Sequence, residues 1–97
     1  MFEYRVDPAK EAENIRKHGV GFDDARAALL DPLRVTWFDE SHSAEEPRFV
    51  TIGCDLKSRI LAVVTSEGEP APGIISARRA TKRERYAYEE HRPLSPT

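Results

Sequence analysis

The second half of the chain contains apolar runs joined by connections too short for anything but hairpins, and this limits the fold more than any other feature. Residues 48–54 and 59–66 are rich in β-branched side chains, and only Asp55-Leu56-Lys57-Ser58 lies between them, a tight turn. Residues 67–73 hold Gly68, Pro70, Pro72 and Gly73, a composition that turns the chain again before the apolar start of residues 74–80. A parallel pair needs a crossover of a dozen or more residues. These links hold four and seven, so the strands must form an antiparallel meander. Residues 33–38, with Val35, Thr36, Trp37 and Phe38, predict a further strand ahead of a polar, acidic loop over residues 39–47.

Helices are expected on either side. Asp7 can cap a helix with Pro8 at its first position, and Gly19 can end it near His18 in the left-handed conformation. Ile15 and Val20 are spaced to make the apolar contact that accompanies such a stop. Only Ala9, Ala12 and Ile15 are clearly apolar in this helix, so it should cover a core thinly. A second helix over residues 22–30 carries Asp23 and Asp24 in its first turn, where the dipole favours acids. Phe22, Ala25, Leu29 and Leu30 fall on its inward face, and Asp31-Pro32 ends it. Thr81, with Glu84 three residues on, forms a capping box for a last helix. Residues 2–6 alternate, as in a short strand or an extended arm. The order is α-α-β-β-β-β-α, an α+β fold, with residues 1–92 as one domain and 93–97 as a frayed tail.

Composition narrows the function classes. A 97-residue chain has room for one modest core. No apolar run approaches the ~20 residues needed to span a bilayer, and the first residues lack the pattern of a secretory signal. The single cysteine, Cys54, excludes an internal disulfide and a cysteine-rich metal site, and sits in an apolar strand pattern as a small core residue. Together these features favour a cytoplasmic location. The net charge of −2 is unevenly spread: residues 1–47 hold 11 acidic and 6 basic side chains, whereas residues 48–97 hold 6 acidic and 9 basic. Phosphate binding depends on the local patch, so the second half is the candidate surface.

That patch centres on Ile74-Ile75-Ser76-Ala77-Arg78-Arg79-Ala80, which opens as an apolar strand and turns basic before the capped helix. Strand alternation puts Ser76 and Arg78 on one face and Ala77 and Arg79 on the other. One arginine could hold a phosphate in a groove on the sheet, with Tyr88 alongside on the helix. Alternatively these arginines pair with Glu84, Glu89 and Glu90 on a solvated face.

The order and spacing of several short pieces resemble the BrnT family. They are Lys17-His18-Gly19-Val20 followed by Phe22 and two acids, Asp31-Pro32, His42 and Glu46 ahead of Arg48 and Ile52-Gly53, Arg59-Ile60-Leu61, and Ile75-Ser76-Ala77-Arg78-Arg79-Ala80 with Glu84-Arg85 and Tyr88. The resemblance runs from Phe2 to about Glu90. It implies a RelE-like fold and a toxin of a type II toxin–antitoxin pair, a ribonuclease that blocks translation. The implied partner is a BrnA-type antitoxin with a ribbon-helix-helix DNA-binding domain, through which the complex reaches operator DNA. This chain departs from the family pattern at Tyr4 and Arg5, where a tryptophan and an acid are usual, and at Gly73, where an arginine is common. The second departure removes a phosphate contact and bears on activity level.

RNA is cut without metal when the 2′-hydroxyl attacks its own phosphate, given a base, cations for the added negative charge, and an acid for the leaving 5′-oxygen. Arginine suits the phosphate because its planar fork holds two oxygens, and histidine suits proton transfer near neutral pH. The candidates are Arg78 on the scissile phosphate, helped by Arg48 or Arg59, with His18 or Lys17 as general base and Tyr88 to orient the substrate or stack on a base. Arg79, Lys82, Arg83, Ser76 and His42 are candidate RNA contacts. No Asp/Glu cluster with histidine has metal-ligand spacing, so neither a metal nor another cofactor is expected. The structural alternatives are a helix-dipole role for His18 and plain helix packing for Tyr88. The rival function is an interaction module without catalysis, docking an antitoxin through the basic patch. The antitoxin is expected to cover edge strands and apolar residues around Leu33, Val35 and Trp37, assembling a heterotetramer.

Overall fold

The computed structural model describes residues 3–40, 46–92 and 94. The elements follow the order α1 (Pro8–His18), α2 (Phe22–Leu29), β1 (Val35–Phe38), β2 (Arg48–Cys54), β3 (Ile60–Ser66), β4 (Gly73–Arg79) and α3 (Lys82–Glu89). The strands form one antiparallel sheet in the order β1-β2-β3-β4. This is the α+β meander that the short connections demand. Their registers, among them Ile52↔Ala62 and Ala62↔Arg78, leave Ser76 and Arg78 on one face and Ala77 on the other.

Each face carries its own core. α2 lies on the first, where Val20, Phe22, Ala25, Ala28 and Leu29 pack on Leu61, Val63, Ile74 and Ala77, while α1 runs along the β4 edge. Tyr88 of α3 and Ala80 pack on the second, against Val35, Val50, Ile52 and Ala62, with Trp37 and Ile60 half-buried beside them. Burying a side chain the size of Phe22 or Leu61 contributes about 1.5–3 kcal/mol. α2 approaches β2 so closely that a Cβ on Gly53 would lie 2.2 Å from the carbonyl oxygen of Ala28. A glycine is therefore required there.

The helix ends are as the sequence predicts. Asp7 accepts from the Ala9 amide, Gly19 takes φ 68° and bonds back to Ile15, and Thr81 and Glu84 complete both halves of the capping box. Three expectations need correction. α1 covers the core as thinly as expected, burying Asn14, but Ile15, expected to pack at the helix stop, is half exposed. In α2 Phe22, Ala25 and Leu29 face inward as expected and Ala28 joins them, while Leu30 is 71% exposed, because the helix ends at Leu29. Strand β1 begins at Val35 rather than residue 33, since the Asp31 carboxylate and carbonyl take the Leu33 and Arg34 amides into a turn. The N-terminal arm makes a single parallel bridge, Arg5 to Gly73.

Candidate active site

β4 is the last strand of the sheet, and α1 closes its outer edge. The hydrogen bond from Ala80 N to Ile60 O fixes the ladder phase, so Ala62 and Ile60 bond inward to β4 and Ala77 points its amide and carbonyl outward. The Asn14 carboxamide meets both. Ala77 N donates to Asn14 Oδ1 at 3.0 Å, and Asn14 Nδ2 donates to Ala77 O and to Val20 O at 2.8 Å each. This side chain takes the place of a neighbouring strand. Glu11, three residues earlier, accepts from the Phe22 amide at 2.8 Å, so the inward stripe of α1 is polar.

With Asn14 fixed on Ala77, the two rises place the rest. Four helical residues advance ~6 Å and two strand residues ~6.6 Å, so His18 lies toward the Arg78–Arg79 end of β4. A groove of about 370 Å³ runs between α1 and the earlier part of β4, lined by Lys10, Glu13, Asn14, Lys17, His18, Ile75 and Ser76. Lys17 and His18 are exposed, with Lys17 Nζ 3.7 Å from Glu13.

Arg78 stands on the same sheet face as Ser76, two residues along. Its Nη1 and Nη2 donate to the two Glu84 carboxylate oxygens at 2.7 and 2.9 Å, and Nη1 also reaches Arg79 O. Glu84 accepts a further bond from the Thr81 amide. Burial alone would raise the Glu84 pKa, but the bonds from Arg78 and Thr81 outweigh it and hold the carboxyl below its ordinary value. The carboxylate in turn raises the Arg78 pKa. Arg78 is therefore a fixed, permanently charged, 37% exposed guanidinium. Glu84 takes both terminal nitrogens, so an anion would reach this guanidinium only on its remaining edge or by displacing that carboxylate.

Other predicted residues lie elsewhere. Arg79 is exposed at the end of β4, and Lys82 and Arg83 are exposed in the first turn of α3. Arg48 pairs in register with Ser66, four β3 residues from the Ala62 that pairs with Arg78 and two strands away, about 16 Å between backbones. Arg59 follows the opposite alternation to Ile60 and is held by Asp24 at 3.0 Å and Asp55 at 2.8 Å. Tyr88 donates its hydroxyl to Asp31 Oδ2 at 2.5 Å, and burial, reinforced by that carboxylate, pushes its pKa up to about 12. His42 lies outside the described residues. The groove thus gathers Lys17, His18 and Ser76, with Arg78 and Arg79 further along the same strand and outside its lining, and leaves Arg48, Arg59 and Tyr88 apart.

Two positioning residues escape a sequence reading, Asn14 and Asp31. Asp31 Oδ2 accepts from Cys54 N at 2.8 Å, continuing the β2 ladder where β1 has already ended, and from Tyr88, which fastens α3. The one sequence signal for Asn14 was the pairing of Glu11 and Asn14 at helical spacing in a helix short of apolar residues.

Comparison with known proteins adds a family to this geometry. The family model described as "Ribonuclease toxin, BrnT, of type II toxin-antitoxin system" matches residues 6–84. The chain belongs to the BrnT family. Among solved structures, the crystal structure of the Brucella abortus ribonuclease toxin BrnT is similar, at 26% identity and a TM-score of 0.64, covering 84% of this chain and 100% of that one. No curated protein sequence matches. The BrnT match includes the whole α1–β4 groove and ends at Glu84. The departures from the BrnT pattern noted above prove to be neighbours. A Cβ on Gly73 would lie 3.2 Å from Arg5 Nη2, and Arg5 Nε donates to Ala71 O at 2.5 Å. The N-terminal arm thus brings the Arg5 guanidinium against Gly73.

Proposed function

We propose that this chain is a metal-independent endoribonuclease toxin that arrests translation and is neutralised by a BrnA-type ribbon-helix-helix antitoxin. The observation that carries the reading is the convergence of Lys17, His18 and Ser76 in one groove, with Arg78 on the strand face that Ser76 shares, in a chain matched by a ribonuclease-toxin family. His18 is exposed at the groove and acts as general base on the 2′-hydroxyl. Lys17 and Arg79 attract the phosphate, and Arg78, held rigid by Glu84, stabilises the charge that builds up in the transition state. Preorganisation is the gain from that ion pair, because a guanidinium already fixed loses little side-chain entropy on meeting the phosphate.

Kinetics of single variants test the assignment. His18→Ala should lower kcat by about 10²–10⁴-fold with an unchanged melting temperature, since His18 is exposed. Arg78→Ala should lower both, because Glu84 then loses its partner. Full activity in folded His18→Ala would remove histidine from the mechanism. The interaction-module reading has one observation in its favour, the engagement of both terminal nitrogens of Arg78 by Glu84. It predicts that Arg78→Ala alters folding and antitoxin binding but no RNA cleavage. The assembly we propose is a heterotetramer built on an antitoxin dimer, reaching operator DNA through the antitoxin. Light scattering on the co-expressed pair tests it, and a one-to-one mass would reject it.

A further inference from the structure

The two edges of the sheet are treated differently. At β4, Asn14 satisfies Ala77, and the N-terminal arm pairs with the strand start through Ile74 N to Arg5 O at 3.0 Å and Arg5 N to Pro72 O at 2.8 Å. At β1 the phase is set by the bond from Asp39 N to Arg48 O. Residues alternate, so Val35 and Trp37 bond inward to β2 while Thr36 and Phe38 turn their amides and carbonyls away from the sheet. Among the described residues nothing pairs with those outward groups. An edge strand is normally blunted by shortness, charge, proline or a bulge; Val35-Thr36-Trp37-Phe38 is short but carries no charge, proline or bulge.

Beside that edge, on the face opposite Arg78, lies a groove of about 420 Å³ walled by Tyr4, Leu29, Leu30 and Phe49, with Thr36 and Thr51 on its floor. Leu30 in its wall is 71% exposed, and Phe38, edge-on to the Phe49 ring, is 45% exposed. Exposed Arg34 stands at one wall and exposed Glu67 at another. An open ladder, a side-chain-sized apolar groove and a charged pair at its rim are what β-strand addition uses: main-chain bonds give affinity and the pocket reads alternate side chains.

We propose that β1 receives an extended segment of the antitoxin, which adds a fifth strand through Thr36 and Phe38, inserts an aliphatic side chain into the groove and sets a carboxylate against Arg34. This rests on the toxin–antitoxin reading above and names where the partner holds on. The site is at the far edge from the α1–β4 groove, three strand spacings or ~14 Å across the sheet. This segment is an anchor and leaves the RNA groove uncovered.

The test uses purified toxin variants and the cognate BrnA-type antitoxin, titrated by calorimetry, with RNA cleavage measured on the free toxins. Thr36→Pro removes an outward amide, a position where an edge strand tolerates proline, and Thr36→Val controls for the lost hydroxyl. Thr36→Pro, Leu30→Glu and Arg34→Glu should each weaken antitoxin binding at least tenfold. Thr36→Val should bind as wild type, and all four should cleave RNA as wild type does. Should Thr36→Pro fail to fold, the exposed Leu30 and Arg34 variants carry the test. Undiminished binding by folded Leu30→Glu and Arg34→Glu would overturn the anchor and leave the toxin reading standing. Absence of any complex with the wild-type chain would overturn the antitoxin partner and the anchor together. A dimer of the free chain that Thr36→Pro abolishes, with antitoxin binding intact, would give the edge to a second copy and refute the proposal.

Discussion

Removing the Asn14 carboxamide should unfold this protein at a much lower temperature, although the residue is polar and lies on a helix of mostly exposed side chains. Asn14→Ala breaks three hydrogen bonds at once and leaves the amide of Ala77 without its partner in a buried site. The orphaned amide costs about 1–3 kcal/mol, and the two bonds lost by the carbonyls of Ala77 and Val20 about 1 kcal/mol each. Alanine returns about 0.5 kcal/mol in helix propensity, so the net loss is about 3 kcal/mol. For a domain of this size that is a fall in Tm of about 12–24 °C. Circular-dichroism melting and urea unfolding read it, with an unchanged m-value showing that the native state remains compact. Hydrogen exchange at the Ala77 amide should accelerate more than exchange in β2. Asn14→Asp should be worse than alanine at neutral pH, because it points a buried charge at two carbonyl oxygens. A variant Asn14→Ala melting within about 3 °C of wild type would refute the claim that this side chain closes the β4 edge.

Acid should weaken the fold through three carboxyls. Burial would raise the pKa of Asp31, Asp55 and Glu84, but hydrogen bonds to each outweigh it and the folded values are lowered. Stability from these groups is thus present above the unfolded carboxylate range, about 4, and is lost as pH falls through the folded values. Urea midpoints between pH 6 and 3 measure it, and Glu84→Gln should flatten part of the slope. Tyr88 works in the opposite direction: its raised pKa of about 12 gives stability that is complete below the free-tyrosine range and lost as pH rises toward that value. Absorbance at alkaline pH should therefore show a late-titrating phenol that Tyr88→Phe removes. Gly53→Ala should destabilise by about 3 kcal/mol, the upper range for overpacking, since the added methyl meets helix backbone rather than a mobile side chain. Denaturant unfolding checks this.

The parts of the fold legible in sequence were those decided locally. Short links between β-branched runs required hairpins, Asp7, Gly19 and Thr81 marked helix ends through their own side chains or backbone freedom, and alternation put Ser76 with Arg78. The illegible parts depend on contacts far apart in the chain. Nothing near Asn14 reveals that it will pair with a strand 63 residues away. The partners of Arg59 are similar: Asp55 is local, but Asp24 comes from another element. Arg48 and Arg78 are both basic residues on strands, and only the register shows how far they stand from each other. Tyr88 read equally as substrate contact or packing residue until its hydroxyl was placed on Asp31.

The most direct test of the central claim is the end-group chemistry of RNA incubated with purified chain in excess EDTA, wild type beside His18→Ala. The account predicts 5′-hydroxyl and 2′,3′-cyclic-phosphate ends from wild type and next to none from the variant. Cleavage that EDTA abolishes, or 3′-hydroxyl and 5′-phosphate products, would contradict it.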